Sequence, residues 1–154
     1  MTPIPKAATT FVTCIALAAL GAGCGGSSNN FKSDVQRQLT DLSRLEMDIG
    51  NVLQGASGKN NSQLEVAFSG LAQRAGSQVG QLAKLKPDPK SASSLAALQS
   101  DLAKVEQDLG GIAASARANS AAAAKSATET LIADATALKA TSDTLKSNLA
   151  SKGG

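Results

Sequence analysis

Apolar side chains recur at alternating steps of three and four along four stretches of this chain, a spacing that lays one stripe down a helix. The first stretch runs from Phe31 to Gln54 and aligns Phe31, Val35, Leu42, Leu45, Ile49 and Val52. The second carries Leu64, Phe68, Leu71, Ala75, Leu82 and Leu85. The third is the clearest, with Leu95, Leu98, Leu102, Val105, Leu109 and Ile112, then Ala116. The fourth runs from Ala124 through Thr128, Leu131, Ala135, Leu138, Ser142, Leu145 and Leu149. Its stripe is smaller and more polar, so it packs less firmly.

The breaks between stretches carry their own signals. Residues 55–61, GASGKNN, read as a loop. Ser62 and Glu65 fit a capping box, in which hydroxyl and carboxylate each satisfy a free amide of the helix start. Lys86-Pro87-Asp88-Pro89 ends the second helix, since proline donates no hydrogen bond and restricts the residue before it. Asp88 or Ser91 then caps the third, with Pro89 suited to a first turn. A turn at residues 117–120, with Asn119 ending one helix and Ser120 capping the next, gives four elements of similar length. These signals predict an all-α fold, an antiparallel up-down four-helix bundle over residues 31–150 followed by a frayed tail at 151–154. Without the turn, the alternative is three helices, the last a single long one over 89–150. Gly76 and Gly80 match the G-x-x-x-G spacing of membrane helices, but the stretch is too polar for one. The glycines at 70, 76 and 80 read instead as a locally weak helix beside small neighbours.

The first thirty residues follow a different pattern. Lys6 and the amino terminus precede an uncharged, mostly apolar run at residues 7–20, the layout of a secretory signal over 1–23. The run is short of the roughly 20 residues that a spanning helix needs. Leu20-Gly21-Ala22-Gly23-Cys24 resembles the lipobox of bacterial lipoproteins, with the leucine one step further back than usual, and Gly25-Gly26-Ser27-Ser28-Asn29-Asn30 resembles their flexible tether. The resemblance implies cleavage between Gly23 and Cys24 and a diacylglycerol on the Cys24 thiol. Stable anchoring takes two acyl chains or more, each methylene contributing about 0.8 kcal/mol. A flexible tether over 24–30 would hold the folded part within roughly 15 Å of the lipid surface. The alanine content and the relaxed lipobox are similar to those of small helical lipoproteins of actinobacteria, a likeness that implies no molecular role.

Composition narrows the chemistry. The chain of 154 residues has no histidine, tryptophan or tyrosine, and phenylalanine only at 11, 31 and 68. Without histidine there is no Ser-His-Asp triad and no His-based metal helix. Cys14 lies in the segment to be removed and Cys24 is to be acylated, so no free thiol remains for catalysis or zinc. Phosphate-loop, S-x-x-K and G-x-S-x-G patterns are absent. The acids at Glu46/Asp48 and Glu106/Asp108 diverge around their helices. Pairing of helices three and four leaves an approach of Glu106 to Glu129 open, but no pocket is indicated and a solvated face is the preferred reading. The composition therefore points to no enzyme, no metal and no cofactor beyond the covalent lipid. A mature chain lacking Lys6 keeps 14 basic and 12 acidic side chains, with no aromatic platform, which argues against nucleic acid.

Topology sorts the charges by end. Near the amino-terminal end of the bundle lie Lys32, Lys84, Lys86, Lys90, Lys146 and Lys152 against Asp34, Asp88 and Asp143. The far end holds Lys59, Arg117 and Lys125 against Asp48, Glu65, Glu106, Asp108 and Glu129. Lys84, Lys86 and Lys90 are the candidate membrane-facing cluster, each lysine contributing about 1 kcal/mol close to an anionic surface. The expectation is an exported lipoprotein at the outer face of the cell membrane, or in an outer membrane, with a non-enzymatic interaction or structural role. Its partners would be the membrane through the anchor and a protein of the envelope. The alternative is a carrier that holds an apolar ligand between its helices.

Overall fold

The computed structural model describes residues 28–151; the expected signal segment, Gly23, Cys24 and Lys152 lie outside the described residues. Four helices follow in order: α1 (Ser28–Gln54), α2 (Asn61–Leu82), α3 (Ala92–Arg117) and α4 (Ala121–Ala150), with a short 3-10 turn at Ala56–Gly58. α1 begins at Ser28, so residues 28–30, expected in the tether, are helical.

Most residues of the stripes read from the sequence are buried, while Val52, Leu64, Leu85 and Ala135 are half-buried against the same core. α2 ends at Leu82, so Leu85 lies beyond the helix and the stop comes before Lys86-Pro87. Leu95, Leu98, Leu102, Val105, Leu109 and Ile112 of α3 are all buried, and α4 contributes Leu131, Leu138, Ser142, Leu145 and Leu149. α1 adds Phe31, Val35, Leu42, Leu45 and Ile49, together with Leu39, which lies on the same stripe. From α2 come Phe68, Leu71, Ala75 and Leu82.

Neighbouring helices touch in chain order, α1 with α2, α2 with α3, α3 with α4 and α4 with α1. Cross-links fix the antiparallel sense. Asn61 at the start of α2 donates to Asn119 beyond the end of α3 at 2.6 Å, and Asn148 near the end of α4 donates to Ser94 near the start of α3 at 2.9 Å. α3 lies close to both α2 and α4, whereas α1 stands further off. Interaxial distance follows the residues at the contact, and small residues meet at one of the close seams. At the α3–α4 seam a Cβ on Gly111 would meet Ala127 Cβ at 3.8 Å, an ordinary contact, while α1 reaches the core through Phe, Leu, Ile and Val.

The turns also have local causes. Asn119 adopts φ 53°, the left-handed conformation that asparagine tolerates better than most residues, and this ends α3. The Ser120 hydroxyl then accepts from the Ala123 amide, so the long-helix alternative is excluded. α2 starts two residues earlier than expected. Its capping box is Asn60 with Gln63, at 2.9 and 3.0 Å, and not Ser62 with Glu65. Glu65 is engaged elsewhere, by Arg117. Before α3, the Asp88 carboxylate accepts from the Lys90 and Ser91 amides at 2.9 and 3.1 Å, with Pro89 inside that turn.

Candidate membrane-facing end

The antiparallel order brings the start of α1, the α2–α3 connection and the end of α4 to one end. Two surface clefts record the meeting. Asn30, Phe31 and Asp34 share one with Lys84, Leu85 and Lys86. Lys32, Gln36 and Leu39 share the other with Lys146, Leu149 and Ala150. Lys84, Lys86 and Lys90 are exposed on the connection, where Pro87 and Pro89 keep the chain out of a helix. Asp88, the acid among them, is turned inward onto backbone amides.

Ion pairing separates this end from the rest. Eight basic side chains are paired: Arg37, Arg44, Arg74, Lys104, Arg117, Lys125, Lys139 and Lys146. Among the described residues, Lys32, Lys84, Lys86 and Lys90 have no such pair, and Lys59 at the far end is the fifth. The sequence singled out the cluster at 84–90. It gave no sign that Lys32 shares the unpaired state.

The opposite end is tied shut by polar contacts. Arg117 donates from Nε and Nη2 to Glu65 Oε1 at 2.7 and 2.6 Å, beside the Asn61–Asn119 bond. Comparison with known proteins adds no relative. No family model, no curated protein and no solved structure matches this chain.

The acids diverge as their spacing requires, and a different pair meets across α3 and α4. Glu106 and Glu129 do not converge. A Cβ added to Gly76 would come within 2.5 Å of Glu106 Oε1, so Glu106 lies over α2, while Glu129 pairs with Lys125 on its own helix at 3.9 Å. The acids that face each other across α3 and α4 are Asp108 and Asp134. Residues 106 and 108 are about 200° apart around α3, so one faces α2 and the other α4. Burial, and next the neighbouring Asp134 carboxylate, raise the Asp108 pKa, and Asp108 Oδ2 is buried without a donor. Elsewhere the balance reverses. Burial works to raise the Asp101 pKa, but hydrogen bonds from Thr141 (2.7 Å) and Lys104 outweigh it and lower it. Glu46 of α1 is raised by burial against the opposing pull of Lys139 and Lys146.

A carboxyl whose folded pKa is raised favours the fold while protonated, and that contribution fades as pH rises through the folded value. Asp108→Asn should therefore raise the denaturation midpoint at pH 7 and lose that advantage at about pH 3, below the ordinary range of aspartate. An equal effect at both pH values would show that charge at this seam is not the cause.

Among the described residues, no group of three or more His, Cys, Asp or Glu is arranged to hold a metal ion. No described helix is long and apolar enough to cross a membrane.

Proposed function

We propose that this chain is an envelope lipoprotein, cleaved after Gly23 and acylated on Cys24, whose four-helix bundle has a non-enzymatic interaction or structural role at the outer face of a membrane. The observation that carries the reading is the Leu20–Cys24 segment, followed four residues after its cysteine by a bundle whose first helix starts at the lysine-bearing end. Four residues reach at most about 14 Å, so acyl chains on Cys24 would hold that end against the bilayer. The far end, with residues 55–61 and the α3–α4 turn, would stand roughly 40 Å out, given helices of 22 to 30 residues at 1.5 Å per residue. That outer end, closed by the Arg117–Glu65 and Asn61–Asn119 contacts, is the surface offered to a partner in the envelope.

Metabolic labelling with an alkyne fatty acid tests the anchor in a bacterial host that processes lipoproteins. The wild type and Cys14→Ser should both carry label, and Cys24→Ser should carry none. Persistent label on Cys24→Ser would contradict the assignment.

A further inference from the structure

We propose that the two clefts flanking the first turns of α1 seat anionic phospholipid headgroups, so that this end of the bundle docks on a negatively charged bilayer. The proposal rests on the anchored reading above, which brings this end to the membrane.

Three observations converge on that occupant. Four of the five basic side chains without an ion pair among the described residues gather here, Lys32, Lys84, Lys86 and Lys90. The acids of the same end are already engaged: Asp34 with Arg37, Asp143 with Lys139 and Lys146, and Asp88 with backbone amides. The end therefore presents positive charge that the protein itself leaves uncompensated. Between the lysines the clefts are lined with apolar groups, Phe31 and Leu85 in one, Leu39 and Leu149 in the other.

A phospholipid matches both halves of this pattern. Its phosphate oxygens accept charge-assisted hydrogen bonds from ammonium groups at the rim. Its glycerol and first methylenes meet the apolar floor, while the lysine stems lie along that floor with their charges outward. A tether of a few residues also makes the second contact intramolecular in effect, so weak headgroup seats suffice once the anchor is inserted. The seats fix orientation: a bundle held only by Cys24 would swivel, whereas one docked through clefts on both sides of α1 stands at a set angle.

Lysine footprinting decides the matter with the processed, acylated protein. It is reconstituted into phosphatidylcholine vesicles and into vesicles that also contain phosphatidylglycerol, and acetylation rates are read by mass spectrometry. On the anionic vesicles Lys32, Lys84 and Lys86 should react about fivefold more slowly than on neutral ones, the equivalent of ~1 kcal/mol per lysine near the surface. Lys59 and Lys125, at the far end, should not change, and added salt should erase the protection. Equal rates on the two vesicle types would overturn the proposal, as would protection that includes Lys59 and Lys125. Protection in native membranes but not on anionic vesicles would overturn it in favour of an acidic protein partner. Recovery of the protein from its host without acyl chains would refute the anchor instead. The anionic arm would then still decide the docking, by flotation with the same three lysines protected or by no flotation at all.

Discussion

Replacing Leu102 with alanine should cost about 3–5 kcal/mol of stability, the upper part of the usual range for a buried leucine. Leu102 is fully buried midway along α3, the helix that packs closely against both α2 and α4. The cost depends on how far the surroundings can collapse into the space left behind. Here collapse is limited, because α3 already lies close to both α2 and α4. Only Phe31 and Phe68 bring aromatic area to the described core. Domains of this size are stable by about 5–15 kcal/mol, so the change would remove a large share of the total. Denaturant titration at neutral pH measures it. A loss under 1 kcal/mol would mean that the centre of the bundle is loosely packed.

The second large effect runs the other way. Gly50, Gly70, Gly80 and Gly110 lie inside helices, and a Cβ built on each meets nothing within 4 Å. None of them takes a positive φ. Alanine at each position should therefore add the propensity difference, roughly 0.8–1 kcal/mol, with no packing penalty. Combined, the four changes should stabilise the protein by about 3 kcal/mol and raise its melting temperature by roughly 10 °C. Gly76 is the internal contrast. Its Cβ would collide with the Glu106 carboxylate, so Gly76→Ala must displace that side chain and should gain little or nothing. Thermal unfolding of the quadruple variant beside Gly76→Ala checks both halves of the argument. An equal gain at Gly76 would show that Glu106 does not occupy the notch.

Most of the fold was legible because the helices announce themselves through large residues at helical spacing. The α3 stripe needed no correction, and the α3–α4 break was marked by Asn119, one of the few residues at ease in the left-handed conformation. Errors arose where one local pattern admitted two solutions. Asn60/Gln63 and Ser62/Glu65 both have the spacing of a capping box, and the choice is consistent with Arg117, 52 residues away, occupying Glu65. Rotation around α3 posed the same difficulty. The sequence shows acids at 106, 108, 129 and 134, but which pair meets depends on how the surface of α3 is divided between α2 and α4. For the candidate site, topology alone gathered the lysines at one end. Their lack of ion pairs, and the apolar clefts between them, are tertiary properties that no local spacing reports.

The mass of the intact protein extracted from its host membranes bears most directly on the central claim, because it reads cleavage and acylation together. The account predicts a chain that begins at Cys24 and carries the added mass of a diacylglycerol, with or without a further acyl group on the new amino terminus. A chain that begins at Cys24 with its thiol unmodified, or an uncleaved chain of 154 residues without lipid, would contradict it.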